Sequence, residues 1–148
     1  MRLIKDICVI LLSAIIALTL YSLVPLLAVP FGYHLVYMEG TSMYPEIAPG
    51  DLVLVWRGNF SVGDVVVFRI MNETVMHRVN RLEKVPVVVN GTTSYQLYVC
   101  TRGDSPNSTA ECFHESLVLF TAGKNPVRLP LAGYFYWALE KLKSMLKI

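Results

Sequence analysis

Three side chains in this sequence have the types an acyl-transfer site uses: Ser42, His77 and Asp104. A serine hydroxyl is a weak nucleophile until a neighbouring base takes its proton, and an imidazole can do that near neutral pH. A carboxylate behind the imidazole fixes its orientation. Ser42 stands in Gly40-Thr41-Ser42-Met43-Tyr44-Pro45-Glu46-Ile47, just after a long apolar run. Gly40 lets the backbone come close to a ligand, and Pro45 fixes one dihedral and removes a donor. A serine held this way can present its hydroxyl and its own N–H in one direction. His77 lies in Val75-Met76-His77-Arg78-Val79, alternating with apolar positions as on a strand. Asp104, in Thr101-Arg102-Gly103-Asp104-Ser105-Pro106-Asn107, sits at a turn after a strand. Each has a plainer reading: a loop serine, a structural strand histidine and a turn-forming aspartate. The other histidines are less promising, since His34 belongs to the exit of the apolar run and His114 to a loop after Cys112.

Other chemistries find little support. The cysteines are Cys8, Cys100 and Cys112, with no Cys-x-x-Cys pair, so neither a zinc site nor any other metal or cofactor is expected. The net charge of +2 and the lack of a basic run with interleaved aromatics argue against nucleic acid as a partner.

The elements that must position these residues follow from the apolar pattern. At 148 residues the chain supports one domain and an appendage. Its composition, 54% hydrophobic, is too apolar for an ordinary soluble protein. Ile7 to Val29 carries no formal charge. As a helix this run would extend about 34 Å, against about 30 Å of bilayer hydrocarbon. Pro25 and Pro30 fall near its far end, where a helix kinks or stops. Arg2 and Lys5 precede it with one acid, Asp6, which predicts a cytoplasmic N-terminus and everything after Tyr33 outside. A cleaved secretory signal is the competing reading, but its apolar core would be unusually long and no Ala-x-Ala site ends it. Four glycosylation sequons, at Asn59, Asn72, Asn90 and Asn107, all lie beyond the anchor.

Past the serine motif, short β-branched runs separated by Gly and Asn predict strands over Leu52–Trp56, Val65–Ile70, Thr74–Leu82, Val85–Val89, Tyr95–Cys100 and Leu117–Thr121. Asn90-Gly91 is a hairpin-type dipeptide. The fold class expected is mainly β: an N-terminal transmembrane helix, an antiparallel barrel-like β catalytic domain and a short C-terminal amphipathic helix. The divisions are 1–32 for tail and anchor, 33–128 for the β domain and 129–148 for the last helix. That helix is apolar and aromatic over Leu129–Leu139, then carries Lys141, Lys143 and Lys147, which suits either a membrane surface or packing on the domain.

Taken together, Gly40-Thr41-Ser42-Met43-Tyr44-Pro45, Gly63-Asp64-Val65-Val66-Val67-Phe68, His77-Arg78-Val79 and Gly103-Asp104 resemble the ordered boxes of type I signal peptidases. The resemblance is to the archaeal and endoplasmic-reticulum branch, which uses a histidine where the bacterial branch uses a lysine. Ala122-Gly123-Lys124 and Pro130-Leu131-Ala132-Gly133-Tyr134 resemble that family's closing segment. The resemblance implies a membrane-bound serine endopeptidase that removes signal peptides from exported preproteins after small residues. It further implies Ser42 as nucleophile, His77 as general base and Asp104 as the acid supporting His77. The substrate would bind as an added β-strand, and the partners would be the signal peptides, the lipid bilayer and, as a candidate, the secretion translocon. The location implied is the cell membrane, single-pass, with the catalytic domain outside.

Two positions depart from the pattern. Where the family often has a serine two residues before the nucleophile, this chain has Gly40, leaving Thr41 as substitute for the oxyanion role, with Met43 beside the substrate. Where this branch carries a second aspartate there is Ala110, so Glu111 is the alternative acid. Cys100 and Cys112 bracket this loop and are a candidate disulfide; Cys8 is an apolar helix residue. Two rival readings are a self-cleaving regulator of related fold and a non-catalytic membrane-anchored β domain that binds peptides or scaffolds a secretion complex.

Overall fold

The structure is a computed structural model and describes residues 2–23, 27, 29–89 and 92–146. Pro25, the Asn90-Gly91 dipeptide with its sequon, and Lys147 lie outside the described residues. Helix α1 runs over Arg2–Leu23. The hydroxyls of Ser13 and Thr19 turn back onto the backbone, Ser13 to the Ile10 carbonyl and Thr19 to those of Ile15 and Ile16. Those two hydroxyls therefore need no water. Ile10, Leu12, Ile15 and Leu18 are all more than half exposed. The domain buries none of the Ile4–Tyr21 segment, which is long and apolar enough to cross a membrane.

The rest is mainly β, as expected. Eight strands follow: β1 (Tyr33–Tyr37), β2 (Leu52–Trp56), β3 (Val65–Ile70), β4 (Glu73–Val89), β5 (Thr92–Arg102), β6 (Ala110–His114), β7 (Val118–Gly123) and β8 (Arg128–Leu129). All pair antiparallel in the order β1-β2-β7-β3-β4-β5-β6, with β8 on β2. The stretches expected at Thr74–Leu82 and Val85–Val89 form one strand, β4. Its first part, from Glu73 to Arg78, pairs with β3, and from Arg78 onward it pairs with β5. Pro86 is tolerated there because a strand with one neighbour can lack a donor. His114, expected in a loop, closes β6, and its Nδ1 accepts from the Ser116 backbone.

The alternation of strand side chains builds two cores, one on each face. Val65, Val67 and Met76 meet Val53, Val55, Met43 and Ile47 on one face. Val66, Phe68, Val79, Val99 and Phe113 fill the other. Helix α2 (Ala132–Leu146) starts against Gly50 and Tyr37. The Gly133 N–H donates to the Gly50 carbonyl at 2.9 Å, and the Tyr134 ring covers Gly50, whose φ of +91° suits glycine. Asp51 ties these parts together. Only 1% exposed, it accepts from the Ala48 and Leu131 backbones and pairs with Arg128 at 3.0 Å. Further along α2, Trp137 is exposed with the Lys141 ammonium 5.0 Å from its ring centre.

Candidate active site

Ser42 is carried by a loop that its own apolar residues fasten down. Met43 and Ile47, either side of the Tyr44-Pro45-Glu46 turn, are fully buried. The Ile47 N–H donates to the Met43 carbonyl at 2.9 Å and that of Tyr44 to Thr41 at 3.1 Å. The Met38 and Gly50 backbones close the base of the loop. Ser42 itself is half-buried and Thr41 exposed. Met43, expected beside the substrate, is fully buried and anchors the Ser42 loop in the core.

A second loop grips Ser42 from the opposite side. The Ser42 carbonyl accepts from the Ser105 N–H at 2.8 Å and from the Ser108 hydroxyl at 3.1 Å. Gly103 makes this approach possible, because a Cβ there would stand 2.3 Å from the Ser42 carbonyl oxygen. The 103–108 loop is in turn clamped to the strand that carries His77. Arg78 donates through Nε and Nη2 to the two oxygens of Asp104, at 2.8 and 2.7 Å. Its Nη1 donates to the carbonyls of Gly63 and Lys124, both at 2.8 Å. Fork-to-fork geometry of this kind fixes direction as well as distance. Asp104 strengthens the hold of Arg78 on its proton, mainly through the hydrogen bond.

His77 projects from β4 onto the face filled by Val66 and Val79. It pairs with Val66 of β3 and packs edge-on to Phe68 with ring centres 5.8 Å apart. The residue is 7% exposed, and its Nδ1 is buried without a hydrogen-bond partner among the described residues. Burial lowers its pKa from 6.5, while Glu111 and then Asp104 pull the other way. The imidazole is therefore neutral at pH 7, the form that accepts a proton.

Ser42, His77, Thr41, Ser105 and Ser108 line one open cleft of about 390 Å³. Ser42 also borders a second cleft of about 200 Å³, with Met38, Glu39, Val67, Thr74 and Met76. The serine thus stands where two depressions meet. No hydrogen bond joins Ser42 Oγ to His77 among the described residues; such contacts are often long before substrate binds. Neither candidate carboxylate hydrogen-bonds His77 among the described residues, although both act to raise its pKa. Both oxygens of Asp104 are engaged by Arg78, and Glu111, exposed on β6, does not hydrogen-bond His77. Cys100 and Cys112 face each other across β5 and β6 and form a disulfide.

Residues 21–95, just over half of the chain, match the Peptidase S24-like family. The chain belongs to that family. No curated protein and no solved structure matches the chain. Peptidase S24-like membership gives the fold a serine-peptidase character, and the matched segment contains both Ser42 and His77. It ends before Asp104 and Glu111. In this S24-like domain, Arg78, Ser105 and Ser108 bind the two halves of the cleft together, and none of them was singled out in the sequence. Gly103 was the available signal, since a glycine next to a turn acid often marks a close backbone approach.

Proposed function

We propose that this S24-like chain is a membrane-anchored serine endopeptidase that cleaves signal peptides from exported preproteins after small residues. The observation that carries the reading is the shared cleft of Ser42 and His77, on a domain joined to an exposed apolar helix of spanning length. In the proposed reaction His77 Nε2 takes the Ser42 proton as Oγ attacks the scissile carbonyl. The imidazolium then returns that proton to the leaving amine, and a water repeats the sequence to release the acyl group. The Ser42 N–H and the exposed Thr41 hydroxyl are the candidate donors for the oxyanion. The grip of Ser105 and Ser108 on the Ser42 carbonyl supports this, because it holds the peptide unit next to the nucleophile still.

The second cleft supplies a route for the substrate. It continues from the end of β1, at the edge of the sheet order, so an extended peptide laid there would add a strand. Its shallow volume suits small side chains next to the cut. With the N-terminus cytoplasmic, α1 would hold the cleft at the outer membrane surface, where an inserted signal peptide presents its cleavage site. The apolar span favours this over a self-cleaving regulator. The test is incubation of detergent-solubilised protein with a preprotein, beside Ser42→Ala and His77→Ala. Cleavage by the parent and none by either variant is expected; equal processing by Ser42→Ala would overturn the reading in favour of a binding domain.

A further inference from the structure

Among the described residues, two buried side-chain polar atoms have no hydrogen-bond partner, His77 Nδ1 and Thr101 Oγ1. They belong to one face of one sheet. Thr101 stands opposite Val79, two residues from His77 on β4, so both side chains leave the sheet on the same side. Across the other edge of β5, Thr101 is paired directly with Glu111 of β6, again on that side. The row therefore reads His77, Thr101, Glu111, with the Phe68 and Phe113 rings stacked beside it at 4.1 Å. Cross-strand diagonal neighbours are about 7–8 Å apart at Cα, and less between Cβ atoms, within reach of a ring and a hydroxyl.

Resting on the proposed peptidase reading, we infer that Thr101 is the positioning residue for His77, its hydroxyl accepting the Nδ1 proton and donating in turn to Glu111. A turn about the Thr101 Cα–Cβ bond exchanges hydroxyl and methyl and brings the oxygen round without moving the backbone. The contact fixes the tautomer with hydrogen on Nδ1, leaving the Nε2 lone pair for the Ser42 proton. When the imidazolium forms, the Glu111 charge is felt through the hydroxyl. The other charged group that acts on His77 is Asp104, and both of its oxygens are held by Arg78. Packing gives Thr101 no reason to be polar: it is fully buried between Val79 and Val99, where valine would fill the same space. The other fully buried threonine, Thr121, does use its hydroxyl, donating to the Val65 carbonyl at 3.3 Å.

The test compares Thr101→Val and Thr101→Ser with the full-length parent in detergent. Histidine-labelled ¹⁵N NMR reads the His77 tautomer, and preprotein cleavage reads kcat and KM. The expected result is an Nδ1–H tautomer in the parent and the serine variant, lost or mixed in the valine variant. Thr101→Val should lower kcat about tenfold or more with KM little changed and no fall in Tm, and serine should restore it. A valine variant with the parent's tautomer overturns the inference, as does a serine variant as impaired as valine. Should Ser42→Ala cleave as well as the parent, the peptidase reading fails instead, and the tautomer comparison alone decides the role of Thr101.

Discussion

A neutral imidazole accepts a serine proton, and His77 is kept neutral by the apolar face around it. The same burial has a thermodynamic sign. Because the folded pKa lies below 6.5, the unfolded chain takes up a proton that folded His77 resists. Stability is therefore full above pH 6.5 and falls as pH drops below it, levelling off once the folded value is passed. Thermal unfolding of the parent and His77→Asn across pH 7 to 4 checks this: the parent's Tm should fall more steeply within that window. A second prediction concerns Gly103, where an added Cβ meets the Ser42 backbone carbonyl as well as the Ser108 side chain. Gly103→Ala should cost about 1–3 kcal/mol and abolish cleavage, measured by denaturant unfolding and preprotein assay. Gly40→Ala, whose Cβ would meet only Met38 Cε at 3.9 Å, should change stability by less than about 0.5 kcal/mol. At this scale Ser42 and His77 could be picked out because their types and motifs suit acyl transfer, and the fold brings both to one cleft. The partners of Asp104 were not, because an aspartate in a turn says nothing about which cation the fold brings to it.

Strands set the distances between these side chains, and two cross-links hold the strands. Arg78 joins the 103–108 loop to β4, so the loop that grips Ser42 cannot drift from the strand that carries His77. Arg78→Lys keeps the charge but loses the fork and the bonds to Gly63 and Lys124. It should cost about 2 kcal/mol of stability and lower kcat more than it raises KM, read by unfolding and steady-state cleavage. The Cys100–Cys112 disulfide closes a loop with a sequence separation of 12 that contains the whole segment. Reduction should remove about 3 kcal/mol, seen as a lower Tm with reductant and no such change in Cys100→Ala/Cys112→Ala. The β elements were readable wherever valines ran together, as in β2 and β3. β6, Ala-Glu-Cys-Phe-His, was missed because it alternates too weakly to signal a strand, and its place comes from pairing with β5. The two-residue turn at Met71-Asn72 was missed for a different reason: Met71 adopts a φ of +53° without the glycine that usually announces one.

For the whole molecule, the question is what α1 adds to a cleft that is already assembled. All the groups at the cleft, and the loops that hold them, come from residues beyond the helix, so the chemistry should not need a bilayer. The encounter should. Confining enzyme and inserted signal peptide to one surface removes most of the translational and rotational search. On the proposed function, the helix would contribute to the capture of substrate and not to turnover. Ile10 and Ile15 are both more than half exposed on α1, and an arginine at each would cost about 2.5–3.5 kcal/mol of insertion free energy per residue. The doubly substituted chain, Ile10→Arg/Ile15→Arg, should pass from the membrane pellet to the alkali-extracted supernatant. With a short soluble peptide its kcat and KM should equal those of the parent. With a preprotein inserted in vesicles its kcat/KM should fall by about tenfold or more, the loss lying in KM. A double variant that remains in the pellet would show that α1 is not what holds the protein to the bilayer. One that loses activity equally on both substrates would show that α1 shapes the cleft itself.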